Sequence, residues 1–521
     1  MGRGVQETGH RSVPGEREIL PLSRRGALRP QAGRVRAASR PGPPPPQTCA
    51  DERDRSALWP DPHPGRSFAQ RIRAAPQPPR QLCPYLLASA PIMRTTRRQL
   101  LRGGAALGAA LALPRTSLGG VRRWPKGDQL RVGVVGVANR GAANLNGVSH
   151  EAVVALCDVD TRYLSGAASR FPEARTYTDW RRMLDEGGLD AIVVSTPDHT
   201  HAPPSAAALQ SGLHVYCEKP LTHSVWEARR VTDLARENGL VTQMGTQIHA
   251  GDNYRRVVEL IRSGAIGPVT EVHVWCNKSW SADVLPSGQG PVPEHLDWDL
   301  WTGPARLFPY RNGFHPGEWR RFWNYGGGTL GDMACHYMDL PFWALGLSHP
   351  LWAEAEGPNA LEECAPRSLT ARWGFPARGE DPALVFTWHD GDHRPTEALE
   401  RTGAPGWGSG VLFIGERGAL LADYGRHVLL PESEFDDFEA PERTIPSSIG
   451  HHREWTEACK SGGETTCNFD YAGPLTETVL LGAAAHRAGA RLEWNAQELS
   501  ASGAENAEEL IRRPYRQGWS L

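Results

Sequence analysis

The sequence predicts an α/β protein whose first folded domain is a doubly wound parallel sheet. Three observations carry that prediction: buried strands alternate with helices between residues 130 and 245, a glycine-bearing turn joins the first strand to the first helix, and a carboxylate closes the second strand. Strands are read at 130–135, 152–157, 190–195, 214–217 and 240–244, with helices at about 204–211 and 225–238. Each strand is a short run rich in Val, Ile, Leu, Ala and Cys, as suits strands covered on both faces. Helical crossovers at this spacing join parallel strands, and ligands on such sheets lie at the carboxyl ends of the strands.

Length and composition bound what surrounds this domain. A chain of 521 residues, 40% hydrophobic and 22% charged, holds two or three globular domains. No apolar stretch reaches the roughly 18 residues that a bilayer span needs. The formal net charge of -2 hides an asymmetry. Residues 1–92 carry 15 Arg, no Lys and 7 acids, residues 93–123 carry 7 Arg and no acid, and residues 124–521 carry 35 basic and 52 acidic side chains. So acidic a body repels a phosphate backbone, and nucleic acid is not expected as a partner. The nine cysteines are scattered without a Cys-x-x-Cys pair. Cys157, Cys217 and Cys276 lie in apolar runs, where a thiol acts as a small hydrophobe.

Residues 1–92 hold 16 prolines, including Pro43-Pro44-Pro45-Pro46, and no sustained apolar period. That composition is expected to stay disordered, or to lie upstream of the true start. At Met93 the pattern changes: Arg97-Arg98 follows Thr95-Thr96 and precedes Leu100-Leu101, and an apolar run extends from 103 to 113. The segment 93–123 resembles a twin-arginine export signal. Because a signal leads its chain, this reading expects translation from Met93 and a periplasmic or otherwise extracytoplasmic mature protein. Without it the protein is expected in the cytoplasm.

The turn after the first strand reads Gly136-x-Ala138-Asn139-Arg140-Gly141, a G-x-G-x-x-G frame with alanine at its middle position. In that frame the glycines allow a tight turn and close helix packing, and the helix N-terminus receives a pyrophosphate. The alanine adds one methyl group. The second strand ends at Asp158, where a carboxylate accepts hydrogen bonds from the ribose hydroxyls and repels a 2′-phosphate. These residues predict a Rossmann domain that takes NAD in preference to NADP, unless Arg140 or Arg162 reverses the choice. Three further strand ends are polar: Thr196-Pro197-Asp198-His199-Thr200-His201, Glu218-Lys219-Pro220 and Gln243-Met244-Gly245-Thr246-Gln247. Only four lysines, Lys126, Lys219, Lys278 and Lys460, stand against 53 arginines, so a lysine at a strand end calls for a chemical reason. Beside a positively charged nicotinamide ring its ammonium is disfavoured, which makes Lys219 a candidate base.

Together with Gly326-Gly327-Gly328-x-x-x-Asp332-x-x-x-His336, these motifs resemble the glucose-fructose oxidoreductase, inositol dehydrogenase and MocA (Gfo/Idh/MocA) family over nearly all of residues 128–500. The resemblance implies a Rossmann domain at 128–246 and a C-terminal α/β domain at 247–500. The latter's large, mostly antiparallel open sheet serves the substrate and a partner subunit, so a homo-oligomer is expected; residues 501–521 are left as a tail. It implies an NAD(P)-dependent enzyme that oxidises or reduces a carbinol of a sugar, cyclitol or related carbohydrate. It sets Gly136, Ala138, Asn139, Arg140, Gly141, Asp158, Thr196, Pro197, His201, Glu218 and Lys219 around the cofactor, and Lys219, Asp332 and His336 in catalysis. Ala334 stands where the family pattern usually has glycine.

Residues 329–340 read as a helix, which sets Asp332 and His336 four residues apart on one face. There Asp332 is expected to orient the imidazole while Lys219 and His336 share removal of a hydroxyl proton. His201 either lines the nicotinamide pocket or caps the helix that follows. Six tryptophans from Trp275 to Trp323 are expected to be mostly core, with Arg320, Arg321 and Asn324 available to sugar hydroxyls. Strands are read at 371–375, 383–388 and 411–414, a loop at 423–446, and paired helices from 451 and from 474. His451-His452 has no companion ligand set, so no metal is expected. Two rivals share the scaffold: an NAD-dependent glycoside hydrolase acting by transient oxidation and elimination, and a sugar-binding protein without catalysis.

Overall fold

In a computed structural model, residues 128–521 are described; the extension read at 1–92 and the segment 93–123 read as an export signal lie outside them. From β1 (Arg131–Val135) and α1 (Arg140–Gly147) the chain continues through β2 (Ala152–Cys157), α2 (Thr161–Ala168), β3 (Arg175–Tyr177), α3 (Trp180–Glu186) and β4 (Ala191–Val194). Then come α4 (Ala202–Gln210), β5 (His214–Glu218), α5 (Val225–Asn238) and β6 (Thr242–Gly245). The six strands pair in parallel in the order β3-β2-β1-β4-β5-β6. Successive side chains pack on opposite, buried faces of the sheet. Ile192 and Val194 pack with Ala206 and Val231 of α4 and α5, whereas Ala191 and Val193 pack with Leu145 of α1 and Trp455 from far along the chain. Strand order reverses between β1 and β4, which opens the ligand crevice at their carboxyl ends.

The second half runs through α6 (Asp252–Arg262), β7 (Val269–Cys276), α7 (Trp298–Thr302), α8 (Gly328–Tyr337) and α9 (Asp339–Leu345). It continues with β8 (Trp352–Glu356), β9 (Thr370–Phe375), β10 (Leu384–Asp390), α10 (Thr396–Thr402), β11 (Gly410–Gly415), β12 (Gly418–Ala422) and β13 (His427–Leu430). The end is α11 (His451–Ser461), α12 (Phe469–Ala488), β14 (Leu492–Asn495), β15 (Ser500–Ser502) and α13 (Ala507–Ile511). Nine strands form a second sheet, β13-β12-β11-β7-β10-β9-β8-β14-β15. The β7–β10 pair is parallel and its neighbours are antiparallel. One face of this sheet, with Val272, Trp373, Phe386 and Trp388, packs on α8 and α12 through Leu330, Leu475 and Val479. That packing presents α8 to the first sheet.

Four boundaries differ from those read in the sequence. Residues 423–446 include a strand, β13, because His427–Leu430 pairs with β12 across a tight turn in which Asp423 accepts from the Gly425 and Arg426 amides. The helix expected at 329–340 is divided at Met338 into α8 and α9. Helix α12 begins at Phe469, with Asn468 capping it through Tyr471 N, and carries Pro474 inside. The tail assigned to 501–521 begins within β15 and is held down: Arg513 and Tyr515 donate to Glu227 of α5, and Arg516 pairs with Asp299 at 2.7 Å.

Candidate functional site

The loop after β1 is shaped by its glycines. Gly136 has φ +82°, and a Cβ there would lie 2.7 Å from Ser195 O at the end of β4. A Cβ on Gly141 would lie 2.1 Å from Gly136 O, so α1 seats against the turn only without a side chain. Asn139, with φ 52° and ψ -114°, precedes α1 at a positive φ outside the left-handed helical basin, a strained conformation at the turn. Ala138 accepts from Gly141 N at 2.8 Å and closes the turn. Asp158 accepts from Val137 N at 3.0 Å and Asp160 N at 2.9 Å, which holds its carboxylate beside the loop. Burial, only partly offset by those two amides, pushes its pKa up to about 6. Thr196 adds an orphaned buried hydroxyl to the same crevice.

These features fit a dinucleotide. The two arginines that would welcome a 2′-phosphate are engaged elsewhere: Arg162 grips Asp160 through Nε at 3.1 Å and Nη2 at 2.8 Å, and Arg140 Nε donates to Glu218 at 3.1 Å. Asp158→Asn should therefore shift the NAD:NADP affinity ratio toward NADP by roughly tenfold, the worth of one screened charge repulsion. Titration calorimetry with both cofactors checks it; an unchanged ratio would assign discrimination to another residue. In the wild type the preference for NAD should weaken below about pH 6, where Asp158 takes up its proton.

Glu218 lies beneath the cofactor crevice. Its carboxylate, 5% exposed, accepts from Arg140 Nε, Asn144 Nδ2 at 2.9 Å and Gln247 Nε2 at 2.8 Å, tying α1 and the end of β6 to β5. Burial opposes ionisation, yet the Arg140 charge and these donors bring its pKa down to about 2. His201 does not cap α4 through its side chain. Its ring lies between two backbone carbonyls, Pro220 O at 2.8 Å from Nδ1 and Thr196 O at 2.7 Å from Nε2, and as a neutral imidazole it donates to one of them. It braces the Thr196-Pro197 turn against the Lys219-Pro220 turn.

The end of β5 meets α8 at Lys219. Its Nζ donates to Asp332 Oδ1 at 2.7 Å and to Asp332 O at 2.6 Å, and Arg320 Nε, from the 3-10 turn Glu318–Arg321, donates to the same Oδ1 at 2.9 Å. Against the cost of burial, these two cations hold the Asp332 carboxyl far below the usual carboxylate range. The expected hydrogen bond from the His336 ring to Asp332 is not made among the described residues. The i, i+4 spacing puts both on one side of α8, but the carboxylate turns to the two cations. His336 sits near enough that burial first, and the Lys219 charge second, push its pKa down to about 3. So low a pKa favours the neutral imidazole at neutral pH, and the ring makes no hydrogen bond among the described residues.

Asp198, in the 3-10 turn after β4, is a member of this cluster that the sequence did not single out. It is 4% exposed, and burial pushes its pKa up to about 7, with Lys219 and Arg320 opposing and Asp332 reinforcing. The signal available was its place between Pro197 and His199 at a strand end. Of the six tryptophans, Trp298, Trp301 and Trp319 form one buried aromatic cluster, and Trp275 and Trp323 lie in others. Trp280 remains part-exposed, near Arg320 and Arg321. Asn324 is spent on the Arg306 backbone and Arg321 on Glu318 and Ser281 O, which leaves Arg320 facing the cluster. His451 and His452 bond to Met244 O and Asn144. Among the described residues one trio of metal-type donors, His249, Asp339 and Cys467, comes within 4.8 Å. Asp339 there already accepts from His249 Nδ1 at 2.9 Å and the Tyr471 hydroxyl at 2.8 Å, the bonding of a buried structural pair.

A glycine-bearing crevice on a parallel sheet, faced by the Asp332–His336 helix from a second sheet, has the two-domain layout of a nucleotide-binding fold. Residues 130–246 match an oxidoreductase family, NAD-binding Rossmann fold, and residues 255–363 match that family's C-terminal alpha/beta domain. Two segments of the chain thus resemble, in order, the two domains of the Gfo/Idh/MocA oxidoreductase family. It is 28% identical over 168 residues to an inositol 2-dehydrogenase of Salmonella paratyphi B, covering 31% of this chain and 49% of that protein. To a glycosyl hydrolase family 109 protein of Shewanella pealeana it is 27% identical over 212 residues, 38% of this chain and 41% of the other. The chain spans about half the length, or less, of these curated relatives. The WlbA dehydrogenase of Chromobacterium violaceum, solved with NADH and UDP-GlcNAcA, superposes with TM-score 0.52 at 16% identity, covering 72% of this chain and 98% of that one. That likeness is one of fold. No helix among the described residues is long and apolar enough to cross a membrane.

Proposed function

We propose that this protein is an NAD-dependent dehydrogenase that oxidises a carbinol of a sugar, cyclitol or related carbohydrate, or reduces the matching ketone. The observation that carries the reading is the 2.7 Å bond from Lys219 Nζ to Asp332 Oδ1, which joins the cofactor-side strand end to the helix of the second domain beside a neutral His336. When bound, the nicotinamide supplies the hydride acceptor. Lys219 keeps a third N–H donor for the substrate oxygen, Asp332 pins that ammonium in place, and a ring nitrogen of His336 takes the hydroxyl proton. The inositol and WlbA dehydrogenases it resembles support this class of reaction. We also propose export through the twin-arginine-like segment 93–123 and a homo-oligomeric assembly.

The test is to incubate the purified protein with NAD and polyols deuterated at each carbinol carbon in turn. Transfer of deuterium to the cofactor, with a ketone formed in equal amount, is the expected result. Aglycone release from aryl glycosides with no net cofactor reduction would move the assignment to the hydrolase chemistry. Tight NAD binding with no label transfer and no cleavage would leave a binding protein.

A further inference from the structure

We propose that Arg320 is a substrate-recognition residue that reads a carboxylate, so that the site takes acid-bearing polyols, such as uronic or aldonic acids, in preference to neutral ones. This rests on the dehydrogenase reading and adds a substrate class to it.

The first ground is the state of the guanidinium. Nε is committed to Asp332 Oδ1 at 2.9 Å and Nη1 to Gly317 O at 3.2 Å, while Nη2 makes no hydrogen bond among the described residues. The side chain is 25% exposed, so that amino group is open to a ligand. Its plane is held from beneath, with its carbon 4.3 Å from the Trp319 ring centre and 5.6 Å from that of Trp280. Gly326 makes this posture possible, because a Cβ there would come 2.7 Å from Arg320 Cα and 3.1 Å from the Trp319 ring. A guanidinium fixed on two sides and free on a third has little rotamer entropy left to lose on binding.

The second ground is charge. Lys219 and Arg320 share one oxygen of one carboxylate, so two cations face a single committed anion. His336 is uncharged, and Asp198, with its pKa pushed up to about 7 by burial, gives an incomplete counter-charge at neutral pH. Glu218 is spent on Arg140, Asn144 and Gln247. An uncompensated positive charge in a crowded cleft favours a ligand that brings a negative one, and a planar carboxylate suits an Arg amino group better than a hydroxyl does.

The test measures kcat/KM with NAD for glucuronate, galacturonate and gluconate against glucose and myo-inositol, with glucose 6-phosphate as a second anion. At least one carboxylate substrate should exceed its neutral counterpart by about tenfold or more, the worth of one charge-assisted bond. Arg320→Gln should collapse that acid:neutral ratio toward one, and Arg320→Lys should leave it in between. If Arg320 serves only to hold Asp332, Arg320→Gln lowers every substrate by the same factor and the ratio stays put, which overturns the proposal. Preference for neutral polyols, or for the phosphate over every carboxylate, overturns it while leaving the dehydrogenase reading intact. Should no compound turn over, calorimetry of glucuronate and glucose on the NADH-loaded protein decides. Glucuronate binding that is lost in Arg320→Gln upholds recognition even as the dehydrogenase reading falls; equal or absent binding overturns it.

Discussion

Lys219→Ala should lower kcat by roughly 10²- to 10⁴-fold, the span of a positioned proton-transfer or oxyanion-holding group, while the NAD dissociation constant moves only a few-fold. The split follows from where Nζ points. Both of its bonds go across to Asp332, on α8, and none goes to the loop at 136–141 that receives the pyrophosphate. Removing it takes a donor from the substrate oxygen and leaves the nucleotide cradle as it was. Lys219→Met, which keeps most of the stem, separates loss of the ammonium from loss of packing. Equal losses in both variants, with melting temperatures near the wild type, assign the effect to the charge. Retained turnover in either removes Lys219 from the chemistry.

Much of this site was legible in sequence because the constraint was local. Gly136 and Gly141 are demanded by backbone approach within a few residues, Asp158 by its place at a strand end, and Lys219 by its rarity among 53 arginines. The alternation of strands and helices likewise needs no knowledge of distant partners. What failed was pairing across the two sheets. Helical spacing suggested that Asp332 serves His336, but a carboxylate bonds the nearest strong donors, and those arrive from β5 and from the turn at Glu318–Arg321. The capping role read for His201 failed because its ring contacts carbonyls of two turns, after β4 and after β5, that are far apart in sequence. Strand β13 was hidden by the acidic, proline-containing composition around it, while its pairing with β12 is set by a turn at Asp423. Asp198 was visible as a letter in a motif and invisible as a group, since only burial distinguishes it from a surface acid.

Asp332→Asn should be the most damaging conservative change in the cluster, because it removes the one anion that two cations share. Breaking a buried pair by deleting one partner costs about 3–5 kcal/mol, largely the penalty of the charge left behind. With side chains 11% and 25% exposed, Lys219 and Arg320 leave water only part of that debt to settle. The carboxyl of Asp332 is held far below its ordinary range, so its stabilising contribution is present above about pH 4 and is lost as pH falls below it. The gap between wild type and variant should accordingly narrow in acid. Asp198 responds in the opposite sense. Its raised pKa, about 7, means that ionising it opposes folding as pH rises between about 4 and 7. Once Asp332 is neutral, the two cations lose their anion and Asp198 loses a repelling neighbour, so its carboxyl should ionise more readily and stand in as the counter-charge. Asp332→Asn alone should thus cost less than the full penalty, and Asp332→Asn with Asp198→Asn should cost more than the two single changes added together. Urea denaturation of the four proteins at neutral pH measures that coupling. A strictly additive result would mean that the two carboxyls do not exchange the role of counter-ion, and that the charge of Lys219 and Arg320 is balanced by solvent.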